Sequence, residues 1–303
     1  VLKGEKEMYR IAVDIGGTKT IVGVIDVHMT VVDQQTFPTI TESPEAEFDQ
    51  ILEHAQALLQ KYQQIEQQTL NIAMPGPCDY HQGIFLNPPN LQAYKNFDAG
   101  AYITTRSEFK PAFVNDTDAA IRAEKRALPE TTSSFVYLTI STGVGMALVY
   151  NGEVLAGSDG NMGEIGHTMI KSNSDYQCPV CQQYGCVENE ISGLAISRKA
   201  STILEREVST QEAIKLYLNN DNDEITAMME EIMQMTAQLC TNIYNIFNVY
   251  TIVLGGGVTQ SPLPYEECIT TYAQAHILNT NKPINVEVSK LEANVLTGLY
   301  DVT

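Results

Sequence analysis

One histidine and three cysteines stand within twenty residues of the chain, at His167, Cys178, Cys181 and Cys186. An imidazole with three thiolates is the ligand set of a tetrahedral Cys3His zinc site, and four protein ligands leave no coordination position for water. The alternative is two disulfides beside a solvated histidine, but three clustered cysteines cannot all pair among themselves. The other cysteines are scattered, at Cys78, Cys240 and Cys268. The cluster therefore predicts a structural zinc, with the carboxylates of Glu164 and Glu188 held on either side of it.

Acidic residues dominate the charged composition and limit the partners of the chain. Asp and Glu number 37 against 18 Lys and Arg, which gives a formal net charge of −19. Proteins that follow a phosphate backbone need clustered basic side chains, so nucleic acid is not an expected partner. Small anionic ligands remain compatible with this charge, because backbone amides bind phosphate without any basic residue.

The length and hydropathy of the chain favour two domains. With 303 residues, of which 44% are hydrophobic, a substantial core can form. No apolar run is long enough to span a bilayer, and no basic segment followed by an apolar one indicates a secretory signal. We therefore expect a cytoplasmic protein with no membrane partner. A reducing compartment also suits thiols that bind zinc.

A strand, a glycine turn and a second strand occur twice, about 125 residues apart. The copies cover residues 9–15, 16–18 and 19–27, and then 134–140, 141–145 and 146–150. Two copies indicate two related α/β halves, although any two hairpins resemble each other. Hydrophobic periodicity predicts further strands at 31–37, 72–74, 153–155, 251–254 and 284–288, and helices at 45–68, 119–128, 193–207, 224–249 and 293–300.

Glycine turns follow three of these strands, at residues 16–17, 143–145 and 255–257. Without Cβ atoms, such turns let backbone N–H groups approach phosphate oxygens, and Thr18 and Thr142 add hydroxyl donors. None of the three matches the Walker P-loop or the complete dinucleotide fingerprint. One glycine hairpin alone is usually only a turn, but three of them predict a nucleotide site.

Three aspartates lie beside predicted turns or helix starts. Asp14 ends the first strand directly before the glycines, where it can hold Mg²⁺ through water or simply cap the turn. Asp116 can act as a general base towards a hydroxyl, or it can cap the helix that follows. Asp118 is the more natural cap if that helix starts at Ala119, which leaves Asp116 for the catalytic role.

Several motifs occur together and in order along the chain. They are Asp14-Ile-Gly-Gly-Thr-Lys19, Pro75-Gly-Pro77, Asn115-Asp116, Thr142-Gly-Val-Gly145, Gly163-Glu-Ile-Gly-His167, the cysteine cluster with Gly185-Cys186-Val-Glu188, and Leu254-Gly-Gly-Gly257. From residue 9 to the C-terminus, the chain closely resembles the ROK family (repressors, open reading frames, sugar kinases). The resemblance implies the actin-like fold of sugar kinases and hexokinases, in which ATP and sugar meet in a cleft between two related α/β domains. It predicts one domain over 8–117 with the closing helix 290–303, and a second over 118–289.

The resemblance also implies roles for individual residues. Asp116 corresponds to the base that contacts a sugar hydroxyl, usually O6, and takes its proton. Contacts to the sugar ring are implied for Asn90, Asn115, Glu164, His167 and Glu188, and His167 would bind zinc through its other ring nitrogen. Residues that would line the phosphates are Gly16, Gly17, Thr18, Thr142 and Gly143. Those implied near the adenosine are Gly255 and Gly256.

The chain departs from the family pattern in two places. Family members commonly have Cys-x-Cys-Gly at the zinc, whereas this chain has Cys178-x-x-Cys181-Gln182. The extra residue and the missing glycine are expected to alter the path of the loop around the metal. Tyr94 stands where a tryptophan is frequent in the family.

Together with the residues discussed above, the resemblance to the ROK family implies an ATP-dependent carbohydrate kinase that uses Mg²⁺ and a structural Zn²⁺. The expected reaction phosphorylates a hexose or hexose derivative at O6 of a glucose-configured sugar, and a β-glucoside or N-acetylmannosamine is the alternative substrate. A sugar-sensing regulator of the family would carry a helix-turn-helix before the first hairpin, which here begins at residue 9. A non-catalytic binding protein would not need Asp116. The expected partners are the sugar and ATP, and a homodimer is the candidate assembly.

Overall fold

The computed structural model describes residues 9–62, 65, 68–279 and 281–302. Its first ten elements are β1 (Arg10–Ile15), β2 (Lys19–Ile25), β3 (Val31–Pro38), α1 (Pro44–Lys61), β4 (Thr69–Met74), β5 (Cys78–Asp79), β6 (Ile84–Phe85), α2 (Ala99–Arg106), β7 (Lys110–Asn115) and α3 (Asp116–Ala127). They are followed by β8 (Phe135–Ile140), β9 (Val144–Tyr150), β10 (Glu153–Val154), α4 (Val187–Ile191), α5 (Gly193–Leu204), α6 (Thr210–Asn219), α7 (Asp223–Phe247), β11 (Thr251–Gly255), α8 (Tyr265–His276), β12 (Asn285–Val288) and α9 (Asn294–Gly298). Short 3-10 helices lie at Gln92–Tyr94, Ile165–His167 and Leu299–Asp301.

The chain forms two units. The first contains the described residues of Val1–Pro129, Val154–Met162 and Leu291–Thr303, and the second contains Glu130–Glu153 and Gly163–Lys290. The first unit is therefore larger than the expected domain of 8–117 with 290–303. The helix α3 belongs to it because Gly298 of α9 packs so closely on the Ala119 carbonyl that a Cβ at Gly298 would overlap this oxygen. The segment 154–162 belongs to it because the Asn161 amide side chain accepts from Cys78 N–H and donates to the Cys78 carbonyl.

In the first unit, five strands form a sheet in the order β3-β2-β1-β4-β7. The neighbours β1, β4 and β7 are parallel, whereas β2 is antiparallel to both β1 and β3. Because alternate side chains of a strand point to opposite faces, β1 contributes Ile11 and Val13 to one core and Ala12 to another. The first core includes the buried face of α1, and the second includes Ala119 of α3 and Leu296 of α9.

The second unit repeats this arrangement. Its sheet has the order β10-β9-β8-β11-β12, with β8 antiparallel to β9 and parallel to β11, and β11 parallel to β12. Each strand of the second sheet thus occupies the place of a strand in the first, with β8 in the place of β1 and β11 in the place of β4. This correspondence supports the two related halves that the repeated hairpins predicted.

The helix α1 illustrates how local signals set the boundaries of an element. Ser43 caps its start by accepting from Ala46 N–H, and Pro44 follows at the first helical position, where its missing N–H costs nothing. The helix ends at Lys61, earlier than the predicted Gln68, and the prediction over 63, 64, 66 and 67 lies outside the described residues. Within the described part of the chain, no helix combines the length and the apolar character needed to cross a bilayer.

Candidate functional site

The parallel strands of the first unit bring Asp14 and Asp116 to the same end of the sheet, where these strands have their carboxyl ends. Asp14 in β1 is level with Ala73 in β4, and Met74 of β4 is level with Asn115 at the end of β7. Asp116 follows directly as the first residue of α3. The carboxyl ends of parallel strands are where α/β proteins commonly bind ligands. The two aspartates of the sequence prediction therefore lie at a place suited to chemistry.

The start of α3 differs from the prediction in its cap. Asn115, not Asp118, is the N-cap residue, and its Oδ1 accepts from Thr117 N–H at 2.8 Å. The prediction that Asp118 caps the helix is wrong because the helix begins three residues earlier than Ala119, directly where β7 ends in extended backbone. The Asn115 Nδ2 atom donates to the Tyr80 hydroxyl at 2.8 Å, so the amide is held at both ends. Asp118 is a buried residue of the first helical turn.

Three aspartates near this end of the sheet have raised pKa values. Burial, and then the charge of Asp116, raise the pKa of Asp14 to about 7, against the lowering effect of Lys19. Burial also raises the pKa of Asp116, against backbone hydrogen bonds, first that of Thr117, that lower it. Burial raises the pKa of Asp118 to about 6, with Arg122 acting in the opposite direction and Asp116 in the same one. Raised carboxylate pKa values of this kind are typical of sites that transfer protons.

Asp14 should make the ligand-free protein less stable as the pH rises. Because its folded-state pKa is raised, the stability from the protonated carboxyl is complete below about pH 4 and is lost as the pH rises through about 7. Between pH 5 and pH 8 the loss amounts to about 2–3 kcal/mol. The Asp14→Asn variant escapes this loss, so its Tm advantage over the wild type should grow by about 5 °C between these pH values.

Scanning calorimetry at pH 5 and pH 8, without Mg²⁺ or nucleotide, measures this difference. Glu53→Gln removes an exposed carboxylate from the same unit and should show no such growth. An equal Tm advantage of Asp14→Asn at both pH values would contradict the raised pKa of Asp14.

The first glycine turn joins β1 to β2 beside Asp14. Gly16 N–H donates to the Lys19 carbonyl at 3.0 Å, which closes the turn and leaves Gly17 and Thr18 exposed at its tip. A Cβ at Gly17 would lie 3.7 Å from the Cβ of Asn90, so Asn90 stands next to the turn. The structure thus groups five predicted sites in the first unit with Asn115 and Asp116, namely Asp14, Gly16, Gly17, Thr18 and Asn90.

The second and third glycine turns lie together in the second unit. Thr142 and Gly143 connect β8 to β9, whereas Gly255 and Gly256 follow from β11, the parallel neighbour of β8. Val258 N–H donates to the carbonyl of Ile140, the last residue of β8, at 3.1 Å. Both turns are therefore at the same end of the second sheet.

Glu188 lies against the second glycine turn. Its Oε2 accepts from Val144 N–H at 3.1 Å and is so close to Gly143 that a Cβ at this position would overlap the carboxylate. The Cβ of Glu188 also lies within van der Waals distance of the place that a Cβ at Gly166 would occupy. Glu188, for which the resemblance implies a sugar contact, thus links two segments. One is the second glycine turn, for which the resemblance implies a phosphate contact, and the other carries Glu164 and His167.

The four predicted metal ligands converge in the second unit. The Nδ1 or Nε2 of His167 and the Sγ atoms of Cys178, Cys181 and Cys186 all lie within 4.8 Å of one another. Ligand atoms of a tetrahedral zinc site are about 3.5–3.8 Å apart, so a small contraction would complete such a site. Cys181 N–H donates to Cys178 Sγ at 3.4 Å, and His167 Nδ1 is 4.0 Å from the same sulfur. The donor set fits zinc, and the Nε2 atom of His167 remains for another ligand.

The structure explains both places where the chain departs from the family pattern. Gln182 adopts φ +60°, the left-handed conformation that a glycine takes readily. Its Nε2 donates to the Pro179 carbonyl at 2.9 Å, and its N–H donates to the Cys178 carbonyl, so the loop closes around Cys178 despite the extra residue. Tyr94 is fully buried, and its hydroxyl donates to the Ile40 carbonyl at 2.8 Å.

The left-handed backbone conformation of Gln182 predicts how substitutions at this position change the stability of the protein. An L-residue in the left-handed region costs about 1 kcal/mol, and glycine avoids this cost. Both Gln182→Gly and Gln182→Ala remove the hydrogen bond to Pro179, so their comparison isolates the backbone. The glycine variant should be the more stable by about 1 kcal/mol, measured by thermal unfolding of the metal-loaded protein. Equal stability of the two variants would show that residue 182 carries no strain.

Sequence reasoning missed a polar group buried behind the first glycine turn. Thr20, Thr39 and Glu47 are buried polar residues of the first unit. Glu47 lies on the same face of α1 as Ile51 and Ala55, which form the core. A carboxylate on the apolar face of a helix was the signal in the sequence, because charged residues are seldom buried without a partner.

Comparisons with known proteins place the chain in a family. The ROK family profile matches residues 10–298. The N-acetylmannosamine kinase of Vibrio vulnificus (strain YJ016) is 32% identical over 253 residues, with 82% of either protein covered. The N-acetylmannosamine kinase of Salmonella heidelberg (strain SL476) is 27% identical over 288 residues, with 89% of this chain and 94% of the relative covered. The solved ROK hexokinase of Thermus thermophilus has a TM-score of 0.84 at 26% identity, with 96% of each chain covered.

The repeated α/β units with their glycine turns define the fold class, and the profile match gives the family. The chain belongs to the ROK family. The actin-like fold that the motifs implied is confirmed by the likeness to the Thermus hexokinase.

Proposed function

We propose that the protein transfers the γ-phosphoryl group of ATP to the O6 hydroxyl of a hexose or hexose derivative. It is an enzyme of the carbohydrate-kinase class. The observation that carries the proposal is Asp116, a carboxylate of raised pKa at the carboxyl edge of the sheet, beside Asp14 and the first glycine turn. A carboxylate of this kind can accept a proton from an alcohol at neutral pH.

In the proposed reaction, Asp116 orients the sugar O6 and removes its proton. The O6 atom forms a bond to the γ-phosphorus while the bond between this phosphorus and the oxygen of the departing ADP breaks. Backbone amides and the hydroxyls of Thr18 and Thr142 donate to the phosphate oxygens. Asp14 would hold Mg²⁺ through water. The metal ion would supply positive charge to the β- and γ-phosphates.

Binding of the sugar ring is assigned to residues near the metal cluster. Glu164, His167 and Glu188 would bind ring hydroxyls, with Asn90 and Asn115 as further contacts. Gly255 and Gly256 would lie near the adenosine. Cys178, Cys181 and Cys186, with one nitrogen of His167, would hold a zinc ion that fixes the orientation of these side chains. The other nitrogen of His167 would then be directed to the sugar.

N-acetylmannosamine is the first substrate to test, because the Vibrio and Salmonella relatives carry the name of N-acetylmannosamine kinases. Glucose is the second, and a β-glucoside is the third. N-acetylmannosamine differs from a glucose-configured sugar in its C2 configuration and its N-acetyl group. A site that hydrogen-bonds a hydroxyl rejects analogues lacking it far more strongly than a site open at one position rejects an added group.

The experiment measures ADP release with N-acetylmannosamine, glucose, N-acetylglucosamine, cellobiose and fructose, each with ATP and Mg²⁺. We expect one of the first two sugars to have the highest kcat/KM, and Asp116→Asn to abolish most of the sugar-dependent release. ADP release that does not depend on any sugar, or activity confined to fructose, would overturn the proposed reaction.

A further inference from the structure

A buried line of hydrogen bonds connects the start of α1 to the first glycine turn. Glu47 Oε1 accepts from Thr20 Oγ1 at 2.5 Å, and Glu47 Oε2 accepts from Ile40 N–H at 2.8 Å. Thr20 Oγ1 lies 3.1 Å from Thr39 Oγ1, which donates to the Gly16 carbonyl at 2.7 Å. Each threonine hydroxyl has one proton, which Thr20 donates to Glu47 and Thr39 donates to Gly16, so the two hydroxyl oxygens touch with no proton between them. The line from the carboxylate to the turn therefore runs through the N–H of Ile40, the residue that follows Thr39.

The carboxylate in this line is costly to bury. Glu47 has no exposed surface, and none of the salt bridges among the described residues involves it. A buried charge without an ion pair destabilises a protein unless hydrogen bonds and local dipoles offset the loss of water. Thr20 and Ile40 supply such bonds, and the first turn of α1 favours negative charge. These bonds hold the Glu47 carboxylate in one position.

Thr39 holds the turn at two carbonyl groups. Its hydroxyl donates to the carbonyl of Gly16, and its N–H donates to the carbonyl of Thr18 at 3.2 Å. In a trans peptide the C=O of one residue and the N–H of the next point in opposite directions. Because the Gly16 carbonyl points to Thr39, the N–H of Gly17 points away from it, on a residue that is exposed. Thr39 thus sets the direction of the Gly17 N–H.

We propose that Glu47, acting through Ile40 and Thr39, is a positioning residue that aims the Gly17 amide at a nucleotide phosphate. The proposal rests on the proposed function, because it assigns ATP to the first glycine turn. Glu47 touches neither substrate. It fixes the backbone at Ile40 and so the position of Thr39, which lets the turn meet the phosphate in its bonded geometry without losing affinity to reorganisation.

The test compares variants that keep or remove the Thr39 hydroxyl. Thr39→Val removes it with little change of shape, Thr39→Ser keeps it, and Glu47→Gln replaces one of the two acceptor oxygens. The KM values for ATP and for the sugar are measured together with the Kd of ADP by calorimetry and the Tm. Tyr102→Phe is the control, because its hydroxyl bonds to Glu45 and Asp49 at the start of α1 without joining the line to Gly16.

For Thr39→Val and Glu47→Gln we expect KM for ATP and Kd of ADP to rise about tenfold, with the sugar KM within about twofold of the wild type. Thr39→Ser should behave like the wild type. Tyr102→Phe should lower the Tm without changing either KM.

Two results would overturn the positioning role. The first is a lower Tm for Thr39→Val and Glu47→Gln with unchanged ADP affinity, which is the outcome of a purely structural line. The second is a wild type that does not bind ADP. A wild type that binds ADP but phosphorylates no sugar contradicts the proposed function alone, because the ADP affinities of the variants still measure the role of Glu47.

Discussion

Replacing Asp116 by asparagine is expected to lower kcat by a factor on the order of 10²–10⁴, while sugar affinity changes little. The asparagine keeps the size and polarity of the side chain but cannot take a proton. Asn115, not Asp116, caps α3 through its bond to Thr117 N–H, so the helix should stay intact. Steady-state kinetics with the best sugar, together with the Tm, measure the effect.

Asp118→Asn is the matched control for this variant. Asp118 lies in the same first turn of α3 and also has a raised pKa, but the proposed reaction does not use it. We expect its kcat to fall by less than about tenfold. If both variants lose the same activity, or if Asp116→Asn keeps near-native turnover, Asp116 is not the base.

The pH dependence of kcat/KM provides an independent test of Asp116 as the base. A base must be ionised to act, so kcat/KM should fall as the pH decreases through the pKa of Asp116. Because burial raises this pKa, the fall should occur above the ordinary value of 3.8 for an aspartate. The acid limb should be absent from the residual activity of Asp116→Asn.

Loss of the metal is expected to weaken the binding of both substrates about 10–100-fold and to lower the Tm. Cys186 directly precedes α4, and two residues later Glu188 accepts from Val144 N–H at the second glycine turn. Without the metal, the constraint on Cys186 is lost, so Glu188 and the turn lose their fixed positions together. Chelation and Cys186→Ser should therefore act alike on the Kd values of sugar and nucleotide.

Cys268→Ser is the control for this prediction, because Cys268 lies in α8 and is not one of the four clustered ligands. It should retain zinc and both affinities. Elemental analysis should find about one equivalent of zinc in the wild type purified without chelators. Less than about a tenth of an equivalent, with both substrates bound normally, would contradict the metal site.

Much of the fold could be predicted because its signals are local. The glycine hairpins, the long amphipathic helix α7 and the cluster of His167 with its cysteines depend on residues close together in sequence. The helices α2 and α8 were not predicted because Gly100 or β-branched residues interrupt their short apolar patterns. In these helices, packing against neighbours outweighs intrinsic propensity.

The parts of the site that the sequence did not predict depend on long-range contacts. The bond between Glu188 and Val144 joins residues 44 positions apart, and Thr20 and Glu47 are 27 positions apart. No periodicity or motif encodes such pairs. Local alternatives also compete, as with Asp116 and Asp118, the two residues considered as the cap of α3. The end of β7 instead places Asn115 at the cap. The left-handed backbone of Gln182 likewise reflects the closure of the loop and not the preference of glutamine.

The identity of the product is the most direct test of the proposed reaction. N-acetylmannosamine labelled with ¹³C, and glucose labelled in the same way, are incubated with ATP, Mg²⁺ and the protein, and the products are analysed by ³¹P and ¹³C NMR. We expect a sugar monophosphate whose ¹³C–³¹P coupling appears at C6, formed in equal amount to ADP and absent with Asp116→Asn. Phosphate at O1, or ADP with inorganic phosphate and no sugar phosphate, would contradict it.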